Sequence, residues 1–281
     1  MFSKRVLLIF LALFVFFKLY NNTAKTPDSI TTADPTTATN PTTTSTLEHS
    51  AMSLPKTSLK YIVIDPVGPH TSTFVILHGL GDTGNGWVSF AKLLQRKFPG
   101  MKFVLPHAPV IPITAFNNQR VPSWFNIFQL GQSDGKKDVD GFLKSVREVE
   151  LLLVEEAAKV DAGKLVLGGF SQGAALTLTS AAIDKDVRLG GFVALSGFCP
   201  ILDDVLKQRQ ETNLDVPVLQ CHGTADTMIT YQYAQDTYAF FKNNIGLRDY
   251  EFREYAGLGH STTEKEIADV VDFLTTKVGL K

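Results

Sequence analysis

The sequence predicts a mostly parallel α/β sheet with helices on both faces. Two patterns carry that prediction. From residue 61 onward, short apolar runs alternate with longer helical patterns, the order expected of strand–helix–strand units. Several of the runs are near-continuous in Val, Leu and Ile, as strands covered on both faces must be. In chain order the strand candidates are YIVID at 61–65, TFVILHG at 73–79, MKFVLP at 101–106, KLVLGG at 164–169, GFVALSG at 191–197, VPVLQCHG at 216–223 and YEFREY at 250–255. The helix candidates are WVSFAKLLQRK at 87–97, a long amphipathic pattern at 138–160, SQGAALTLTSAAI at 171–183, YQYAQDTYAFFKNN at 231–244 and STTEKEIADVVDFLTTKV at 261–278.

Composition narrows the function classes. The chain has 281 residues, is 44% hydrophobic and carries a net charge of −1, so it can bury a large core. It shows no basic block that would follow a nucleic-acid backbone. Two cysteines, Cys199 and Cys221, exclude a disulfide-dense scaffold and a four-cysteine zinc site, and leave room for one bridge in an oxidising compartment.

Three regions differ in composition. Residues 1–20 hold Lys4 and Arg5 ahead of an apolar run from Val6 to Phe17, the pattern of a signal-anchor or a cleaved signal peptide. Residues 21–58 are Thr/Pro-rich and too poor in large apolar side chains to offset the entropy of ordering, so a disordered stalk is expected. Residues 59–281 form the folded domain. The leader implies a chain held to a membrane in the secretory pathway with a luminal domain. Secretion after cleavage and a cytoplasm-facing domain are the alternatives.

The chemistry is concentrated at Gly169-Phe170-Ser171-Gln172-Gly173, a G-x-S-x-G pattern. By chance that pattern occurs in about one chain in ten of this length. Its context is more telling, because a strand precedes it and a helix follows at once. Gly169 and Gly173 allow strand and helix to pass close to a sharp turn, and the helix N-terminus favours developing negative charge at Ser171. A serine that merely caps the helix is the alternative.

A nucleophilic serine needs a base and an acid, which on such a fold follow it in the order Asp or Glu, then His. Only His222 and His260 lie downstream of Ser171. His260 sits in the glycine-rich loop before the last helix and is selected as base. Asp226, in HGTAD past a strand end, is the acid, with Asp203 and Asp204 as competitors. His222 is expected to shape the turn that presents Asp226. The HGLG turn at 78–81 follows an early strand, where its backbone can supply an oxyanion donor from Leu80, beside that of Gln172.

Together VILHGLGDTGNGW, PHAPV, VPSWFNI, LGGFSQGAAL, ALSGF, LQCHGTAD and GLGHS resemble the acyl-protein thioesterase and lysophospholipase family of small α/β-hydrolases, over nearly all of residues 61–281. The resemblance implies the α/β-hydrolase fold, with Ser171 as nucleophile, Asp226 as acid and His260 as base. It places the oxyanion donors at Leu80 and Gln172, and Trp124, Leu130 and Phe198 along an acyl channel. No metal and no organic cofactor are implied. Phe198 stands where the family often has tryptophan, and Asn126 where aspartate is usual. The leader and stalk also depart from familiar members, which are cytosolic and lack them.

The implied activity is hydrolysis of long-chain acyl thioesters on S-acylated proteins through an acyl-serine. A lysophospholipase or general carboxylesterase is the alternative, and an inactive fold that binds acyl ligands is a remote one. Expected partners are S-acylated proteins or lysophospholipids as substrates, the membrane through the N-terminal segment, and a weak homodimer, with no nucleic acid.

Overall fold

The computed structural model describes residues 56–129 and 135–281. The leader, the stalk up to residue 55 and Leu130 lie outside the described residues. Nine strands are found among those described: β1 (Tyr61–Ile64), β2 (Ser72–Leu77), β3 (Met101–Pro106), β4 (Val110–Ile113), β5 (Gln119–Pro122), β6 (Leu165–Phe170), β7 (Gly191–Leu195), β8 (Val218–Gly223) and β9 (Tyr250–Tyr255). The helices are α1 (Val88–Gln95), α2 (Val139–Ala157), α3 (Gln172–Ile183), α4 (Leu202–Gln208), α5 (Tyr231–Phe240) and α6 (Glu264–Thr276).

Seven strands form one sheet in the order β1-β3-β2-β6-β7-β8-β9. All neighbours are parallel except β1, which runs antiparallel to β3. Each apolar run of the sequence becomes one of these strands. Their side chains alternate between two cores, because successive strand residues face opposite ways. Val75, Leu77, Leu165, Leu167, Phe192, Ala194 and Val218 pack with α2, α3 and α4 on one face. Phe74, Ile76, Val166, Val193, Leu195, Leu219 and Cys221 pack with α1 and α6 on the other. The near-absence of polar residues in the central strands follows from this double cover. α3 is buried along almost its whole length, so its sequence shows little amphipathic contrast.

Two elements were not expected from the sequence. β4 and β5 form an antiparallel hairpin whose turn holds Asn117 and Asn118 at φ 53° and 61°. Pro112 and Pro122, which cannot donate to a ladder, are tolerated because the hairpin has only two strands. The Asn-Asn pair was the available turn signal. The seven-residue α4 carries Asp203 and Asp204 in its first turn, where acidic side chains suit the helix dipole.

The chain is already fastened at residue 57. Glu148 of α2 accepts from Ser58 N at 2.7 Å and Ser58 Oγ at 2.9 Å, and Thr57 N donates to Glu155 at 2.8 Å. Cys199 and Cys221 are both free and buried.

Glu156 of α2 joins this helix to the sheet. It is fully buried, and its carboxylate accepts from Lys102 Nζ of β3 and from Lys159 Nζ, both at 2.7 Å. Burial by itself raises its pKa, but the two ammonium groups more than offset that and hold it below the ordinary 4.5. A group with a depressed folded pKa contributes stability fully above its unfolded pKa and loses it as pH falls through the folded value. Glu156→Gln is therefore expected to cost about 3 kcal/mol at pH 7. The difference from wild type should shrink below about pH 4.5. Urea denaturation at both pH values checks this, and a cost that is independent of pH would refute the ion-pair account.

Candidate active site

β6 ends at Phe170 and α3 begins at Gln172, so Ser171 alone makes the turn between them. Its backbone is held at φ 55° and ψ −114°, an unfavourable region for any residue with a side chain. The turn persists because its surroundings leave it no other path. A Cβ on Gly169 would run into the backbone of Gly173 and Ala174. One on Gly173 would collide with the carbonyls of Leu77 and His78. Ser171 N donates to Leu195 O at 3.0 Å, which pins the turn to β7. The outcome is a hydroxyl raised above the carboxyl ends of the parallel strands, at the N-terminus of α3.

His260 comes from the loop between β9 and α6. Its Nε2 lies 3.0 Å from Ser171 Oγ and its Nδ1 2.7 Å from Asp226 Oδ2. The Phe170 ring packs against its imidazole at 4.8 Å. Asp226 lies three residues past β8 and is 5% exposed. Its Oδ1 accepts from Met228 N at 2.8 Å and Ile229 N at 2.9 Å. Burial raises the Asp226 pKa, but the His260 contact and those two amides outweigh it, so the pKa ends below its ordinary value. Asp226 is thus an ionised acceptor at neutral pH. This places the proton of neutral His260 on Nδ1 and leaves Nε2 free to accept from the Ser171 hydroxyl.

His222 lies beneath this trio, fully buried. Its Nε2 is 2.9 Å from Ile229 O and 3.5 Å from Asp226 Oδ2. A carbonyl only accepts, so Nε2 carries the proton. Burial lowers the His222 pKa and keeps the ring neutral. Asp203 and Asp204 stay in α4, apart from the trio.

The HGLG turn runs past Ser171. A Cβ on Gly79 would stand 3.4 Å from Ser171 Cβ, and Gly81 N donates to Pro122 O at 2.8 Å. Leu80 lies between those two glycines, and Gln172 N is the first amide of α3, a position that has no intrahelical acceptor. Trp124 is 1% exposed and packs under the turn, its indole 5.2 Å from the His78 ring. Phe198 is 7% exposed between Phe125 and Tyr233. Asn126 bonds both ways to Thr114, joining the loop to the β4–β5 hairpin.

A parallel sheet with this turn and this trio at the ends of its strands is the architecture of the α/β-hydrolases, and the chain is a serine hydrolase of that class. A sequence profile described as phospholipase/carboxylesterase matches residues 59–278. The chain belongs to that family. It is 37% identical to acyl-protein thioesterase 1 of Debaryomyces hansenii over 213 residues, covering 73% of this chain and 91% of that protein. It is 40% identical to acyl-protein thioesterase 1 of Kluyveromyces lactis over 219 residues, covering 75% and 94%. The crystal structure of Zea mays acyl-protein thioesterase 2 superposes with a TM-score of 0.69 at 32% identity, covering 78% of this chain and 99% of that one.

These matches correct the expected localisation. The relatives are acyl-protein thioesterases matched over nearly their whole length, and the matched region begins after the leader. No helix among the described residues is long and apolar enough to cross a membrane. Anchoring in the secretory pathway with a luminal domain is withdrawn, and residues 1–20 lie outside the described residues.

The sequence reading missed several polar residues beneath the site. In the sequence His78 stands out only as part of the HGLG turn. It is fully buried, with Nδ1 2.7 Å from Gly79 O and Nε2 accepting from Ala108 N at 3.0 Å. Both contacts demand a neutral ring protonated on Nδ1. Burial is the main cause that pushes its pKa down to about 4. Ser123 and Ser145 also lie here, both buried. The signal for His78 was its place beside the HG turn; nothing in the sequence marked Ser145, which reads as a polar position on a helix. His78 is expected to stay a neutral Nδ1–H tautomer from pH 7.5 to 5 in nitrogen-15 NMR. Titration near the ordinary 6.5 would overturn the assignment.

Proposed function

We propose that this chain is an acyl-protein thioesterase that removes long-chain acyl groups from cysteine thiols of proteins. The observation that carries the reading is the chain of contacts from Ser171 Oγ through His260 to Asp226, in a member of a family whose similar relatives are named for that activity. The hydrolase domain is proposed to occupy residues 59–281.

In the proposed reaction, Ser171 Oγ attacks the acyl carbonyl while His260 Nε2 takes its proton. Asp226 keeps His260 in the required tautomer and stabilises the imidazolium. The N–H groups of Leu80 and Gln172 receive the negative charge that develops on the carbonyl oxygen; losing one such donor typically costs about 10²–10³ in turnover. The carbon–sulfur bond breaks, the thiol leaves with the proton from His260, and an acyl-Ser171 remains. Water then attacks that ester, giving its proton to His260, and Ser171 is released with the fatty acid. Trp124, Phe198 and Leu130 are proposed to border the acyl chain.

A palmitoyl-thioester peptide and a lysophosphatidylcholine, compared on the full chain with Ser171→Ala as control, test the reading. A thioester preference above about tenfold in kcat/KM, equal to about 1.4 kcal/mol of transition-state binding, is expected. Ser171→Ala should lower activity by more than about 10⁴-fold. Preference for the lysolipid would make the enzyme a lysophospholipase, and an active alanine variant would remove Ser171 from the chemistry. A thiol leaves with less proton assistance than an alkoxide, since its pKa is near 8.5. His260→Ala is therefore expected to damage ester hydrolysis more than thioester hydrolysis; equal loss on both counts against a leaving-group role for His260.

A further inference from the structure

We propose that Trp124 and the side chain of Gln172 are positioning residues that set the geometry of the oxyanion hole. The inference rests on the reading above, in which Leu80 N–H and Gln172 N–H are the donors. Those amides belong to different segments: the turn after β2, and the start of α3. A shared oxyanion requires a fixed distance between the segments, and 122–125 is the stretch that touches both.

On the α3 side, Gln172 Oε1 accepts from Trp124 N at 3.1 Å and lies 3.0 Å from Ser123 Oγ. Its Nε2 donates to Phe125 O at 3.1 Å. The Gln172 side chain is buried, and the bonds to Trp124 N and Phe125 O give its amide one orientation. On the other side, Trp124 Nε1 donates to His78 O at 2.8 Å, and Pro122 O accepts from Gly81 N at 2.8 Å. These two bonds flank Leu80 in the chain. Ser145 Oγ of α2 donates to Trp124 O and holds the stretch from behind. The bonds of the brace other than Gly81–Pro122 are buried, where a lost partner leaves a polar group without water. The His78 ring packs against the Trp124 indole at 5.2 Å and accepts from Ala108 N at its Nε2.

Oxyanion donors work because they are placed before charge develops, and misplacement by about 1 Å can cost about 10² in rate. Trp124→Phe removes the indole N–H and keeps an aromatic ring. Gln172→Met keeps side-chain length and the backbone N–H and removes the side-chain bonds to Trp124 N and Phe125 O. Both variants are expected to lose about ten- to a hundredfold in kcat, Gln172→Met with KM within about twofold. Melting temperatures are measured alongside, and Gln172→Met stands if Trp124→Phe does not fold.

The deciding readout is isotope-edited infrared spectroscopy of the carbon-13 carbonyl in a cinnamoyl-Ser171 acyl-enzyme of the full chain. In wild type the band is expected below that of a cinnamoyl ester in an aprotic solvent, and in the variants it should shift back up. A wild-type band that is not lowered would defeat the oxyanion-hole reading itself. A lowered wild-type band with variants unchanged in band and kcat would leave the hole standing and defeat the brace. A fall in kcat without a band shift would likewise defeat it.

Discussion

The structure turns on one steric fact: α3 begins directly over the end of β2, with no space for a side chain between them. Gly173 faces the Leu77 and His78 carbonyls, and Gly169 faces Gly173. That contact forces the chain to reverse within a single residue, so Ser171 takes a left-handed backbone that it would otherwise avoid. It also brings the HGLG turn alongside the serine, since that turn leaves β2 at the same point. The order of strands does the rest. β8 lies next to β7 and β9 next to β8, so the loops that follow them deliver Asp226 and His260 to the same edge as the turn after β6.

Electrostatics at the site is settled by who can donate. The carboxylate of Asp226 collects two backbone amides on one oxygen and His260 on the other, which keeps it ionised inside the protein. The two buried histidines, His78 and His222, are kept neutral by burial, and each uses its N–H on a backbone carbonyl. They add no charge to compete with His260. Of these three, only His260, which touches Ser171, retains some access to solvent, with 14% of its side chain exposed.

Much of this was legible in the sequence because it is local. Each strand of the main sheet appears as an apolar run, and the positions of Ser171, Asp226 and His260 follow from a strand end and a chain order. The glycines flanking Ser171 report a close approach, which is a property of the turn itself. What could not be read depends on contacts between distant segments. Gln172 looks like a helix surface residue, and only the fold shows that its amide is spent on residues 123–125. Trp124 reads equally well as a channel wall or as core, because burial and an indole partner 46 residues away are tertiary facts. The β4–β5 hairpin was hidden by its prolines, which forbid a central strand but not an isolated pair.

The strained serine has a consequence for how such a chain drifts under mutation. A residue with a side chain at φ 55° and ψ −114° costs on the order of 1–3 kcal/mol, a sizeable share of a domain's net stability. Glycine would relieve that cost through a single substitution, so for folding alone the serine is the inferior choice. Random change weighed only by foldedness would therefore erode this position early. A serine that remains there is being kept by selection for something other than a stable protein.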